Sequence, residues 1–278
     1  MNEKFYLGTY TKRDSKGVYS VLLNKETEQL EALTLEATIE NPTYLSYSKA
    51  DHLLFAVGKG GELCGISANA AQVSPLVPLA SYADQQAVPC YIRYHEKTGD
   101  VLTANYHGGF VELYHYDKEA NSFTFVDKKV HTGSSVHANQ TSPHVHYTDY
   151  TPDEKWIVVC DLGIDTVFTY KRTETGLEEV SQYKTKAGSG PRHITFHPTL
   201  PIAYLICELD ATVEMLSYDK ENGIFTNLDK IALTTEDQQA WGGAIHLTHD
   251  GRFIYASNRG FDALYTFSVD PTNGLLTL

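Results

Sequence analysis

The sequence predicts an all-β protein, a β-propeller of four-stranded antiparallel blades. Three observations carry that prediction. Short apolar runs recur at near-constant spacing, each is followed by an alternating strand, and each strand ends in turn-forming residues.

The runs are Phe5-Tyr6-Leu7-Gly8, Leu54-Phe55-Ala56-Val57-Gly58, Val101-Leu102-Thr103-Ala104-Asn105, Ile157-Val158-Val159-Cys160-Asp161, Tyr204-Leu205-Ile206-Cys207-Glu208 and Ile254-Tyr255-Ala256-Ser257-Asn258. Their last residues lie 50, 47, 56, 47 and 50 positions apart. A sandwich does not repeat so regularly, and the repeat of a β-helix is much shorter. Each run is the second strand of a unit. An extra strand precedes most of them: Pro42 to Tyr47, Pro89 to Tyr94, Pro143 to Tyr147, Arg192 to Phe196 and Ala244 to Leu247. Turns such as Thr151-Pro152-Asp153-Glu154 and Thr248-His249-Asp250-Gly251 join the two. The third strands, among them Phe110 to Tyr116, Thr212 to Tyr218 and Ala263 to Val269, alternate apolar and polar residues as half-buried strands do. Asp117-Lys118-Glu119, Asp219-Lys220-Glu221 and Asp270-Pro271-Thr272 open the next turn, and a fourth strand closes the unit.

One propeller domain over 1–278 follows, with blades near 1–39, 40–84, 85–132, 140–186, 190–234 and 242–278. The first unit has no innermost strand, and the chain stops at the outer strand of the sixth. An open ring exposes strand edges. The expectation is therefore that about one further blade follows in the natural protein and that this chain is truncated at its C-terminus.

Composition narrows the function. A net charge of −13 with no basic run argues against nucleic acid, whose affinity comes mainly from neutralised phosphates. The longest apolar runs are too short to cross a membrane, and the first twelve residues do not read as a signal peptide. Cys64, Cys90, Cys160 and Cys207 show no CxxC spacing and read as reduced thiols of a cytoplasmic protein. Neither a Walker-type phosphate loop nor a GxSxG elbow is present.

In a propeller the first strands line the axis, so polar residues repeated at that phase converge. Asn105, Asp161, Glu208 and Asn258 end second strands. His144, His146, Arg192, His193 and His246 lie on first strands, and Arg259 follows Asn258. Asp161 and Asn258 also suit simple turn caps, and His246 also suits a satisfied core histidine. Glu208 follows a strongly apolar run, so it is expected to be buried and to need a partner such as an arginine from a neighbouring strand. His144 and His146, two apart, face one way if their strand is regular. No third ligand is evident, so no metal is expected.

Pro143-His144-Val145-His146, Gly190-Pro191-Arg192-His193 with Phe196-His197-Pro198, Glu208-Leu209, Ile245-His246 and Ser257-Asn258-Arg259-Gly260 together resemble the seven-bladed propeller lactonases. That is the 6-phosphogluconolactonase family, which also holds the fungal carboxymuconate cyclases. The resemblance runs along nearly the whole chain. It implies seven blades, of which about six are present here, no cofactor, and active-site positions at His146, Arg192, Glu208 and Arg259. His144, His193, His246, Asn258, Asn105 and Asp161 are expected to bind substrate. The expected reaction is hydrolysis of a small anionic sugar lactone, most of all 6-phosphogluconolactone, in carbohydrate metabolism. Glu208 is the expected base, and His146 the acid or orienting group. A carboxymuconate-type cyclase and a propeller that only binds are the alternatives. The protein is expected to act as a monomer or homodimer, without nucleic acid or membrane.

Overall fold

The computed structural model describes residues 2–59, 62–67, 78–83, 88–234 and 241–278. The described chain forms six antiparallel sheets, each a meander in which neighbours in sequence are neighbours in space. The first has three strands, β1 (Asn2–Leu7), β2 (Gly17–Asn24) and β3 (Gln29–Thr38). The others have four. They are β4 (Leu45–Ser48), β5 (Leu53–Val57), β6 (Glu62–Ser67) and β7 (Pro78–Ala83); then β8 (Tyr91–His95), β9 (Asp100–Asn105), β10 (Phe110–Asp117) and β11 (Ser122–Val130); then β12 (Val145–Tyr150), β13 (Ile157–Asp161), β14 (Thr166–Thr173) and β15 (Gly176–Lys184). The last two are β16 (Pro191–Phe196), β17 (Ile202–Cys207), β18 (Thr212–Asp219) and β19 (Ile224–Ala232), and β20 (Gly242–Leu247), β21 (Phe253–Asn258), β22 (Ala263–Val269) and β23 (Leu276–Thr277). Among the described residues the only helical turn is a 3-10 turn at Leu162–Ile164. The blade boundary expected near residues 84–85 lies outside the described residues.

The burial of each strand follows its place in the sheet. β5, β9, β13 and β17 are buried along their whole length, covered on both faces, which is why they read as unbroken apolar runs rather than alternations. The outer strands β11, β15 and β19 are largely open to solvent and carry the polar residues.

The chain forms two compact units, Met1–Asn105 with Glu112–Asp127, and Tyr106–Val111 with Lys128–Leu278. In the first, an aromatic core gathers Phe55, Tyr94, Tyr114 and Tyr116 around Leu53, Val57, Ile92 and Val101. The Phe55 and Tyr94 rings stack at 4.3 Å. In the second, β12 lies against β16 and β16 against β20, so the first strands of three sheets stand side by side. Its core is formed by Tyr204, Ile206, Val213, Met215, Ile254 and Phe267, all nearly or fully buried. Each such aliphatic side chain contributes about 1.5–3 kcal/mol relative to exposure.

Turns also lock sheet to sheet in the second unit. Thr151 Oγ1 donates to Asp153 Oδ1, and the Tyr218 hydroxyl of the next sheet donates to the same oxygen at 3.0 Å. Trp156 Nε1 donates to the Lys220 carbonyl at 3.0 Å beside it. The Asp117, Asp219 and Asp270 turns repeat one device. Each carboxylate accepts the backbone N–H groups two and three residues on.

Candidate active site

The polar residues of the second unit are aimed by breaks in strand regularity. In β12 the pairing passes from Val145 opposite Asp161 to Tyr147 opposite Cys160, leaving His146 out of register. In β16 it passes from Pro191 opposite Cys207 to His193 opposite Ile206, and Arg192 is the residue left out. In β20 the skipped residues are Gly243 and Ala244. A bulge of this kind re-aims a side chain, and here it occurs at one place in three successive first strands.

The same registers revise the phase of the repeat. Asp161, Cys207 and Asn258 are the equivalent last residues of their strands. Glu208 lies one residue beyond, in phase with Leu162 and Arg259 rather than with Asp161 and Asn258. Cys207 fills the final strand position of β17, which displaces the carboxylate into the link.

There Glu208 is fixed through its backbone. Its N–H donates to the Gly190 carbonyl at 2.7 Å, and its carbonyl accepts from Gly242 N–H at 2.9 Å. Both glycines are required. Gly190 has φ +70°, and a Cβ there would stand 2.7 Å from Leu209 Cγ; a Cβ on Gly242 would stand 2.3 Å from the Cys207 carbonyl oxygen.

The Glu208 carboxylate is the centre of the cluster. Its Oε2 accepts from Arg192 Nε at 2.8 Å and from Arg259 Nη2 at 2.6 Å. Among the described residues its Oε1 takes no donor, and 12% of the side chain remains open. Arg192 is further held by the Gly243 carbonyl at 3.0 Å and lies 3.4 Å from His193 Nε2. Arg259 is half exposed. Its Nη2 also reaches the Gly242 carbonyl, while Nε and Nη1 make no bond among the described residues. It therefore keeps donors for a ligand anion.

Two imidazoles lie beside this cluster. His146 and His193 meet edge to face with ring centroids 5.1 Å apart. His146 keeps an open edge, yet protein atoms surround it closely. Loss of solvation, then the Arg192 and Arg259 charges, hold its pKa well below the ordinary imidazole value. His193 is buried and is pushed down the same way, by desolvation first and then by Arg192, His146, His246 and Arg259. Both rings are therefore neutral near pH 7. His246 is exposed on β20.

His144 precedes β12. Its Nδ1 donates to the Tyr106 carbonyl at 2.9 Å, and its ring stacks on Tyr106 at 4.2 Å and 7°. Tyr106 also meets the His146 ring edge-on at 5.9 Å. The two histidines thus share Tyr106 although the bulge breaks regular alternation.

Asp161 is fully buried and closed. Its Oδ1 accepts from the N–H groups of His144 (2.8 Å) and Gly163 (3.0 Å), and its Oδ2 faces His131 Nδ1 at 2.7 Å. His131 Nε2 in turn lies 2.9 Å from the Tyr170 hydroxyl. His131 and Tyr170 border a cleft of about 520 Å³ that also touches Lys129, Phe168, Glu179 and Lys184, and none of the Glu208 cluster lines it. Asn258 is buried, and its Oδ1 accepts from the N–H groups of Trp241 and Gly260. Asn105 ends β9 in the first unit and is fully buried. Arg192, His193, Glu208, Arg259 and His146 are thus brought together, while Asp161 and Asn258 are engaged with backbone. His131 and Tyr106 were not singled out by sequence. The only signal for either was its place at the start or end of a link.

Among the described residues no three His, Cys, Asp or Glu side chains are grouped to hold a metal ion. None of the four cysteines is in a disulfide, and three of them are buried. No helix among the described residues is long and apolar enough to cross a membrane.

The sequence model of the family described as lactonase, 7-bladed beta-propeller, matches residues 4–278. A 6-phosphogluconolactonase of Bacillus subtilis is 35% identical over 277 residues, covering 98% of this chain and 80% of that protein. The crystal structure of a protein from Lactobacillus plantarum is 35% identical and superposes with a TM-score of 0.92, over 100% of this chain and 81% of that one. A periplasmic gluconolactonase of Pseudomonas aeruginosa is 28% identical with a TM-score of 0.91, over 99% and 81%. The six sheets are blades of that architecture, and the chain belongs to the lactonase family of seven-bladed β-propellers.

Proposed function

We propose that the protein hydrolyses a sugar lactone carrying an anionic group, 6-phosphogluconolactone in the first instance, as an enzyme of carbohydrate metabolism in the cytoplasm. The observation that carries this reading is the Glu208 carboxylate, tied to two arginines through one oxygen and open through the other. The 35% identity to a 6-phosphogluconolactonase supports the choice of substrate. The absence of disulfides among the four cysteines supports a reducing compartment.

Opening a lactone requires water at the carbonyl carbon, a proton acceptor and donors for the oxyanion. Glu208 Oε1 holds the water and takes its proton as the new C–O bond forms. The tetrahedral oxyanion is met by guanidinium N–H groups. The ring C–O bond then breaks, and the ring oxygen leaves as a hydroxyl with the proton returned to it. Arg259, with its unengaged donors, binds the phosphate or carboxylate of the substrate. His146 enters uncharged, so it orients water or accepts a proton and is not a resting acid.

The test is a comparison of turnover for 6-phosphogluconolactone, gluconolactone and a muconate-type diacid. Rates are read against buffer alone, because lactones also open unaided. Preference for the phosphorylated lactone is expected. Cyclisation of the diacid without lactone opening would replace hydrolysis with ring closure. Inertness to all three would leave the propeller as a binding module.

A further inference from the structure

A buried carboxylate outside the cluster bonds the segment that leads into it. Asp165 ends the 3-10 turn between β13 and β14 and is only 4% exposed. Its backbone is in the left-handed region, φ +53°, a strained conformation for a residue with a side chain. Among the described residues no cation pairs with it. Four donors from two separate segments converge on it instead. Oδ1 accepts from Gly190 N–H and Gln140 Nε2, each at 2.8 Å. Oδ2 accepts from Gly188 N–H at 2.8 Å and from the Ser135 hydroxyl.

Two of these donors lie in the entry to β16. Gly190 N–H is held by Asp165, and the carbonyl of that same residue receives Glu208 N–H. Arg192, the bulged residue bonded to Glu208, stands two positions further along. The carboxylate is thus one residue, Gly190, from the amide of Glu208, and it bonds the chain just before the bulge that carries Arg192. Its other two donors, Ser135 and Gln140, fasten the 131–144 segment and do not lie on that path. Gln140 Nε2 also bonds the Leu162 carbonyl at 2.8 Å, so the segment has an anchor besides Asp165.

We propose that Asp165 is a positioning residue for the hydrolytic site. By clamping Gly188 and Gly190 it fixes the geometry of the Arg192–Glu208 pair, and it makes no contact with substrate. The sequence offers a rationale for the residue type. Only Asp and Asn combine tolerance of the left-handed conformation with a short acceptor, and only Asp supplies two oxygens for four donors.

The inference rests on the hydrolytic reading, and its test separates the two. Asp165→Asn keeps shape and backbone but turns one acceptor into a donor facing an N–H. Gln140→Ala removes a donor to the same carboxylate off the Gly190 path. For folded protein, Asp165→Asn is expected to lower kcat on the preferred lactone by roughly tenfold to a hundredfold, the cost of a displaced catalytic geometry, while Gln140→Ala leaves kcat near the wild-type value. NMR titration of the imidazoles gives a readout independent of turnover. With Arg192 displaced, less positive charge faces His146 and His193, so their titration moves up toward the ordinary imidazole range. Should the Asn variant not fold, Asp165→Gly accepts the positive φ and takes its place. Unaltered imidazole titration in the Asp165 variant would overturn the proposal. So would equal losses in both variants that track only the fraction folded. A wild-type protein inert to lactones would sink the hydrolytic reading alone, leaving the titration to decide on Asp165.

Discussion

Asp161 ends its strand and Glu208 follows the equivalent strand of the adjacent sheet in the second unit, and they do opposite things with a carboxylate largely withdrawn from solvent. Asp161 is closed. Both oxygens are taken up by two backbone amides and His131, and none of its surface reaches solvent. Glu208 is open. One oxygen holds two guanidiniums, and among the described residues the other takes no donor. The difference comes from a single residue of register. Asp161 is the last residue of β13 and caps the turn that follows, whereas Glu208 is the first residue beyond β17. Polar character at the repeat's phase is therefore not enough to identify a site. Which lone pairs remain unspent decides it.

Three changes test that contrast. The largest effect expected is at the open carboxylate. Arg192→Ala removes the more buried of the two guanidiniums, and kcat should fall by about 10²–10³ with the fold retained, the scale seen when one oxyanion donor is lost. A change confined to KM would reassign Arg192 to substrate binding alone. At the closed carboxylate the effect should appear in stability. Asp161→Asn replaces a charged acceptor of three buried bonds by a neutral amide and turns an N–H toward His131, whose ring must then change tautomer or lose its partner, costing about 1–3 kcal/mol in denaturant unfolding. The folded variant should keep its kcat, and a catalytic loss out of proportion to unfolding would make Asp161 part of the site.

The smallest effect is a pH dependence. His193 is held neutral in the native state, so the unfolded chain binds its proton first. Its native state is unpenalised above about pH 6.5 and loses stability as pH falls below that value toward the depressed native one. The stability difference between wild type and His193→Gln should thus rise with pH up to about 6.5 and then flatten. A difference independent of pH would mean that the imidazole is not suppressed.

Much of the fold was legible because a repeat writes the same physics six times. The apolar second strands, the Thr-x-Asp turns at Thr151 and Thr248 and the Asp turns at 117, 219 and 270 all carry local chemistry that a reader of sequence can price. The bulges at His146 and Arg192 were not legible, because nothing local marks a skipped pairing. They arise from how two strands meet. The same cause puts Glu208 one residue out of phase with Asn258 and starts the strand at Val145, one residue beyond His144. The need of Glu208 for an arginine followed from its apolar surroundings, but that two arginines share one oxygen did not. Asp165 is illegible in the sequence for a related reason. Its partners Ser135, Gln140, Gly188 and Gly190 are 20 to 30 residues away, and only the folded chain collects them.

The most direct measurement is the enzyme-dependent rate of lactone opening by Glu208→Gln, set beside Asp161→Asn and normalised to folded protein. The neutral amide keeps the size of Glu208 but presents no carboxylate to water, so kcat should fall by about two to four orders of magnitude while Asp161→Asn stays near wild type. Near-normal turnover by Glu208→Gln would contradict the assignment of the open oxygen as the proton acceptor.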